Sequence, residues 1–305
     1  MSAKDYVKTT TSSMSGSKAS SSASPPTISS TGSASDELIG IFILDSSIFQ
    51  KILKGFKDLS SDVVFKFLPD DMIMYPEVVM DEIPTKKKKG KAKSYDSNFQ
   101  GRADFDMRAI KYENAVSDSH YLSITVSALV ESCKSYSTKD RITFAVYERN
   151  PSVLCIQASS SISFGMASST NIQGRILEEG VCEPPEIEEG MEFIKYSISE
   201  CDFEKVLKSL CGTAKDINVC TVNIFDSYFL ISGKNGTLSQ NFRIGAQEDC
   251  EDENEINAFQ IPNHVIKVLK SNIVKVGNAE FMYSDNIFAI RREINYAVLT
   301  NFFYI

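Results

Sequence analysis

Apolar and polar positions alternate along the chain from Leu38 onward and predict a series of short strands interrupted by amphipathic helices. The first stretches are a strand (IGIFILD), a helix (SSIFQKILKGFKDL) and two strands (VVFKF, MIMYPEVVM), with Asp45-Ser46-Ser47 offering N-cap side chains. Further strands (ADFDMRAI, YLSITV), a short helix (SALVESCKSYS) and two strands (RITFAVYE, SVLCIQA) follow. A looser stretch with strand character near IQGRIL ends this half. The pattern predicts helices over antiparallel sheets.

The same order of strand and helix patterns is repeated after residue 190, from FIKYSIS to AVLTNFFYI. The segment from Phe49 to Phe56 (FQKILKGF) matches that from Phe203 to Leu210 (FEKVLKSL) position by position. A weaker match joins VESCKS at Val130 to IKVLKS at Ile266, at the corresponding place in each half. An internal sequence repeat of this kind indicates that the same structural unit occurs twice in the chain. The fold class predicted is α+β, with two similar domains that each place two helices on antiparallel sheets.

Composition shifts divide the chain into five parts. Residues 1–36 are rich in Ser and Thr with almost no apolar anchor, which predicts a disordered tail. Domain 1 spans 37–174 and contains a lysine-rich insertion at 82–101, whose PTKKKKGKAKSYD run has no apolar period and is expected to be a loop. A Pro/Glu-rich connector at 175–190 leads to domain 2 at 191–305.

Charge and cysteine content narrow the class of protein. The 305 residues carry a formal net charge of -8, which by itself argues against an open nucleic-acid-binding face. The seven cysteines are odd in number, form no CxxC pair and mostly lie in apolar runs, so we expect reduced thiols and neither disulfides nor zinc. No signal peptide or membrane-spanning run is present. We expect a soluble intracellular protein that uses no cofactor or metal.

The lysines of the predicted helices change how the negative total is interpreted. In the first helix the apolar residues form one stripe, and Lys51, Lys54 and Lys57 fall on the opposite side of a 3.6-residue period. The third and fourth helices repeat this with Lys205 and Lys208, and with Lys267 and Lys270, whereas the second offers mainly Lys134. One such helix needs no function, since lysine is a good helix former. Three of four suggest a segregated basic field, with acidic residues in loops such as 248–255.

Catalytic motifs are not evident. The two histidines, His120 and His264, lie outside any metal-ligand or nucleophile spacing. The GKNG segment fits a hairpin turn rather than a phosphate-binding loop. The sequence therefore predicts a protein that is not an enzyme.

The repeated unit, FQKILKGFKDL, FEKVLKSL after a Pro/Glu-rich connector, and a last strand with paired aromatics resemble proliferating cell nuclear antigen over about residues 38–305. The resemblance is one of pattern more than identity. It implies a DNA sliding clamp: a ring, normally a homotrimer, whose helices line a hole threaded by double-stranded DNA without sequence preference. It also implies a DNA polymerase processivity factor and a role in replication and repair. The DNA-contacting candidates are Lys51, Lys54, Lys57, Lys134, Lys205, Lys208, Lys267 and Lys270.

The resemblance also implies a pocket between the connector and the last strand that binds polymerases and other proteins with clamp-binding motifs, as well as a clamp loader. Carried over, the candidates are Met80, Val181, Pro184, Pro185, Ile187, Phe302 and Phe303. Plain strand packing is the alternative for Phe302 and Phe303. The lysine run after Met80-Asp81 departs from the family, and it is interpreted as a solvated loop, a nuclear localisation signal, or an extra DNA or partner contact.

Other functions remain open at this point. The chain fits one subunit of a heterotrimeric checkpoint clamp, a viral processivity factor that does not form a homotrimer, or a clamp-fold transcription factor of a large DNA virus. Strands near residues 172–177 and 238–244 would have to pair across subunits to close a homotrimer. The expected location is the nucleus, or a cytoplasmic replication compartment if the source is viral.

Overall fold

The structure is a computed structural model, and the chain divides into the units Met1–Ser35 and Asp36–Ile305. The first unit, which holds the predicted tail, lies outside the described residues. The structure describes residues 38–57, 59–77, 99–105, 112–113, 119–159, 167–178, 183–184, 187, 191–212, 219–235, 238–245, 254–271, 277–284, 287–294 and 297–305. The lysine-rich run at 84–96 lies outside them as well.

The first half contains ten strands and two helices among its described residues. In chain order they are β1 (Leu38–Asp45), α1 (Ser46–Phe56), β2 (Asp62–Phe67), β3 (Met72–Pro76), β4 (Phe99–Phe105), β5 (Tyr112–Glu113), β6 (His120–Thr125), α2 (Val126–Cys133), β7 (Arg141–Tyr147), β8 (Asn150–Ser159), β9 (Ala167–Gln173) and β10 (Arg175–Ile176). Because β4 begins at Phe99, the last residues of the range 82–101 belong to a strand.

The second half repeats this order. Its described elements are β11 (Ile194–Ser199), α3 (Glu200–Gly212), β12 (Val219–Phe225), β13 (Tyr228–Asn235), β14 (Leu238–Gly245), β15 (Glu255–Pro262), α4 (Asn263–Ser271), β16 (Asn278–Ser284), β17 (Ile287–Ile294) and β18 (Ala297–Tyr304). The α+β class predicted from the sequence is therefore confirmed. No described helix has the length and apolar character needed to cross a membrane.

Three sheets connect these strands, and the recorded pairs are antiparallel. Their orders are β5-β1-β7-β8-β9, β10-β6-β2-β3-β4-β18-β17-β16-β11 and β14-β13-β12-β15. The nine-stranded sheet crosses from one half to the other where β18 pairs with β4, with Ala297 opposite Phe105 and Phe303 opposite Phe99. The two halves are thus joined by continuous backbone hydrogen bonding.

One apolar core lies between the sheets and the helices and includes residues from both halves. Phe42 and Phe144 stack with their ring centroids 4.6 Å apart, and Phe203 meets Phe281 edge-on at 5.3 Å. Phe49 on α1 also packs against Phe144, at 4.5 Å, so the ring contact between α1 and β7 has its counterpart in the contact between α3 and β16. Burial of these large rings removes much apolar surface from water and so stabilises the fold.

The start of α1 differs from the expectation for its capping residues. Asp45 occupies the N-cap position with extended backbone but makes no side-chain cap hydrogen bond. The carbonyl oxygen of Asp140 instead accepts a hydrogen bond from the Ser46 backbone N–H at 2.9 Å, and Ser46 Oγ accepts one from Gln50 Nε2 at 2.9 Å. Tertiary contact therefore satisfies a donor that sequence reasoning assigned to a local cap.

A charged network is buried beneath the second pair of helices. Arg292 on β17 is fully buried, and its Nη2 donates to Asn301 Oδ1 at 2.7 Å while its Nη1 donates to the Leu269 carbonyl at 3.3 Å. Glu200, the first residue of α3, is also fully buried. Burial raises the pKa of Glu200, and the charge of Arg292 opposes that shift. Burial lowers the pKa of Arg292 to about 10, which Glu200 partly opposes.

Candidate nucleic-acid face and partner groove

The four described helices form one row in the order α2, α1, α4, α3, in which each contacts the next. Each helix turns its apolar stripe to the core. We call the opposite, solvent side of this row the helix face. Lys51, Lys54 and Lys57 of α1 and its C-cap are exposed there. So are Lys134, Lys205, Lys208 and Lys267, while Lys270 is half-buried. The structure therefore brings the eight candidate lysines to one side of the molecule.

These lysines differ in their partners. Lys205 Nζ lies 2.8 Å from an Asp202 carboxylate oxygen, and Lys208 Nζ lies 2.8 Å from Glu204 Oε1. Lys134 pairs with Glu131 in the same way. The hydrogen bond from Lys205 lowers the pKa of Asp202, and the same bond raises the pKa of Lys205. All three pairs lie within one helix or at its end, and all are solvent-exposed.

The other side of the nine-stranded sheet carries the segment that follows β10. We call this side the connector face. Lys66 on β2 donates to Glu183 Oε1 at 2.5 Å and lies 5.4 Å from the centre of the Tyr121 ring. Burial is the largest single influence and acts to lower the pKa of Lys66, but the hydrogen bond and charge of Glu183, together with the interaction with Tyr121, outweigh it, so the pKa is raised. Arg175 also donates to Glu77, a buried carboxylate that accepts from Ser123 as well.

A groove of about 250 Å³ opens on the connector face near the seam between the halves. Its walls combine apolar and charged residues: Arg102, Asp104, Ile187, Arg291, Val298, Thr300 and Phe302. Arg102 Nε donates to Asp104 Oδ1 at 2.6 Å, and Arg291 Nη1 lies 3.5 Å from Glu280 Oε2. The same face carries two apolar clusters, Val64/Ile73/Tyr75/Tyr121 and Met282/Ala289/Phe302, and Phe302 of the second cluster lines the groove.

The partner-binding candidates from the sequence fall in different places. Ile187 packs against the Met282/Ala289/Phe302 cluster and lines the groove together with Phe302. Pro184 is buried next to Glu183. Phe303 faces the opposite side of the sheet and packs in the core, 4.7 Å from Phe99 between ring centres. Met80, Val181 and Pro185 lie outside the described residues.

Sequence reasoning missed the charged residues of the connector face. Arg102, Asp104 and Arg291 line the groove, and Lys66 and Arg175 hold the connector. Lys66 gave one signal that was not used, since it is a single charge inside the apolar strand VVFKF. A lone charge at an alternating position of such a strand needs a partner on the sheet face.

Each of the three sheets has two edge strands among the described residues. Two of these six edges bear on assembly: β9 of the five-stranded sheet and β14 of the four-stranded sheet. They overlap both segments that the sequence marked for pairing across subunits. The chain leaves the first edge after Gln173, however, because Gly174 turns it so that Arg175 and Ile176 pair with β6 in the other sheet. A Cβ at Gly174 would stand 2.6 Å from the Ser123 carbonyl oxygen, so glycine is required there.

Solved structures share this arrangement. Proliferating cellular nuclear antigen from Entamoeba histolytica matches with a TM-score of 0.62 at 10% sequence identity, over 88% of this chain and 98% of that one. A PCNA2–PCNA3 complex from Sulfolobus tokodaii matches with a TM-score of 0.60 at 10% identity, over 87% and 98%. The chain has the sliding-clamp fold. No protein-family model matches the sequence, and no curated protein does.

The clamp fold fits the internal repeat, because each half supplies one two-helix unit. The match takes in 98% of each solved chain and 87–88% of this one, so it is not confined to one half. Among the described residues no group of three or more His, Cys, Asp or Glu side chains is arranged to hold a metal ion. At this low identity the likeness concerns the fold, and function rests on the surfaces described above.

Proposed function

We propose that this chain is a non-enzymatic DNA sliding clamp that closes into a ring of three copies around duplex DNA and holds replication proteins, a DNA polymerase among them, at its connector face. The observation that carries the proposal is the pair of open edges, β9 and β14, together with the internal seam between β18 and β4. By position in the repeat, β9 corresponds to β18, and β14 corresponds to β4. The seam inside the chain is therefore a template for a joint between chains.

The internal seam between β18 and β4 predicts which residues of β9 and β14 lie opposite each other across the joint. Strands β7 and β16 share one burial pattern, so Phe144 corresponds to Phe281. Following the recorded pairs outward makes Thr170 equivalent to Asn301. Ile124 and Ile261 each lie two residues before a helix, α2 and α4, so they correspond. Following the recorded pairs outward from them, and extending the β3–β4 register by two residues, makes Gln240 equivalent to Gly101. Since Asn301 lies opposite Gly101 within the chain, Thr170 is expected opposite Gln240 of the next copy, and Asn171 opposite Ser239.

Such a joint is heterologous, because it brings two different edges together, and repeated use of it closes a ring when the rotation fits. Because each chain has two similar halves, a ring of three copies contains six similar units. The helix faces would then line the hole, where the exposed lysines can contact phosphates. A closed ring is held on DNA by topology, so a chain of net charge -8 needs only weak contacts to slide.

The connector face supplies the proposed docking site. The groove beside Ile187 and Phe302 is lined by both apolar and charged residues, which suits a short peptide with apolar anchors. The Lys66–Glu183 and Arg175–Glu77 contacts hold the connector on the sheet and keep this groove formed. A clamp loader and a nuclear or viral-compartment location belong to the same proposal.

The test uses paired cysteines at the proposed joint. Asn171→Cys with Ser239→Cys places two exposed positions opposite each other, and mild oxidation is expected to give a closed species of three chains. Asn171→Cys with Asn241→Cys is the matched control, since it displaces one partner by two residues along the same face. The unaltered chain controls for the exposed native Cys201.

Oxidation in the presence of a nicked circular plasmid then tests the clamp itself. The closed rings are expected to stay with the circle in high salt and to leave when a restriction enzyme linearises it. Rings that form but never remain on circular DNA would refute the sliding function. Failure of any self cross-link, with a monomer mass by light scattering, would refute the homotrimer and favour a subunit of a mixed clamp.

A further inference from the structure

The positive charge of the helix face is unevenly distributed along the row of helices. The middle helices, α1 with its C-cap and α4, carry Lys51, Lys54, Lys57, Lys267 and Lys270 and contain no acidic residue. Within the part of the chain that the structure describes, none of these five lysines forms a recorded ion pair. The middle of the row is therefore an uncompensated basic ridge, which we call the α1–α4 ridge.

The outer helices are different. On α2 the single basic residue, Lys134 at the C-cap, is paired with Glu131. On α3 the two lysines are paired with Asp202 and Glu204, each at 2.8 Å. An acid one turn away cancels most of the field that a lysine presents to a phosphate. The two ends of the row are thus close to neutral even though they contain three lysines.

We propose that duplex DNA is held by the α1–α4 ridge alone, and that α2 and α3 are electrically neutral walls. The inference rests on the proposed function, because it assigns the DNA contact within the same ring. In a closed ring the neutral helices α3 and α2 of adjacent copies stand next to each other at the joint. The DNA would then face three basic ridges separated by three neutral sectors.

The chain offers matched variants for the test. Lys54→Ala/Lys57→Ala/Lys267→Ala removes three charges from the ridge. On the outer helices, Lys134→Gln/Lys205→Gln/Lys208→Gln combined with Glu131→Gln/Asp202→Asn/Glu204→Gln removes three lysines together with their acids, so that no unpaired carboxylate is left to repel phosphate. Affinity is measured by fluorescence anisotropy of a short labelled duplex over a salt series, with the mass and melting temperature of each variant checked first. The ridge variant is expected to bind about tenfold more weakly and with a shallower salt slope, and the outer variant within about twofold of the unaltered chain.

The second part of the test looks for an increase in DNA affinity. Glu131→Gln/Asp202→Asn/Glu204→Gln should release the three paired lysines and raise affinity by about tenfold, because each freed ammonium can then contact a phosphate. Equal losses from the ridge variant and the outer variant, or no gain from the acid triple, would overturn the partition while leaving the clamp proposal intact. No binding by the unaltered chain at any salt concentration would overturn the ridge as the DNA contact, whereas the clamp proposal is decided separately by retention of cross-linked rings on circular DNA.

Discussion

Replacing Arg292 by Met tests the reasoning about the buried charged network. The change leaves Glu200 in the core without its counter-charge and deprives Asn301 Oδ1 and the Leu269 carbonyl of their donors. The change removes the two hydrogen bonds of Arg292 and its charge from the neighbourhood of Glu200 at once. Loss of a buried charged partner typically costs about 3–5 kcal/mol, so a loss in that range is expected in the free energy of unfolding. The measurement is urea denaturation followed by circular dichroism.

The loss should also depend on pH in a stated direction. Burial already raises the pKa of Glu200, and loss of Arg292 removes the effect that opposes this rise. The folded state then holds a proton that the unfolded state releases, so stability is retained below the ordinary glutamate pKa and falls as pH rises toward the raised value. The deficit of Arg292→Met should therefore be larger near pH 8 than near pH 5.

The double variant Arg292→Met/Glu200→Gln supplies the control. It removes the stranded charge and is expected to recover part of the stability and to abolish the pH dependence. A single variant that loses less than about 1 kcal/mol, or loses the same amount at both pH values, would refute the assignment of Glu200 and Arg292 as a coupled pair.

Three further predictions concern the seam, a turn and a histidine. Phe303→Ala and Phe302→Ala should each cost about 3–5 kcal/mol of unfolding free energy, because both rings are almost fully buried. Only Phe302→Ala should also weaken binding of a clamp-binding peptide in calorimetry, and equal peptide affinities for the two variants would contradict their placement on opposite faces. Gly174→Ala should cost about 1–3 kcal/mol in the same denaturation assay, since its Cβ would stand 2.4 Å from Ile124 Cδ1; an unchanged transition would exclude that contact. Burial lowers the pKa of His120, so stability should fall as pH drops below its ordinary pKa of 6.5, and His120→Gln should remove that acid-side slope.

Sequence patterns were sufficient for the features that depend on short range. The 3.6-residue stripes placed the helix lysines on one side, because a helix that buries Phe49 and Leu53 must expose Lys51 and Lys54. The repeat FQKILKGF/FEKVLKSL predicted two equivalent units, and the clamp fold confirms that class of architecture. In each case the residues that decide the outcome lie within one element.

Features that join distant parts of the chain were beyond those patterns. The bond between Lys66 and Glu183 spans 117 positions, and that between Arg175 and Glu77 spans 98. The burial of Glu200 was also hidden, because a glutamate in the first turn of a helix ordinarily points to solvent and favours the helix dipole. Nor could paired aromatics reveal that Phe302 and Phe303 serve different faces without the register of β18 against β4.

The two edges of the repeat differ in strength, which bears on how a ring of this chain would open. Strand β18 reads AVLTNFFY and brings aromatic rings to the internal seam, while its counterpart β9 reads ASSTNIQ and offers mostly small polar side chains. The internal seam is also backed by a continuous polypeptide, and the joint between copies is not. Mechanical strain on a closed ring would therefore separate subunits before it separated the halves of one, and the opening would form between β9 of one copy and β14 of the next.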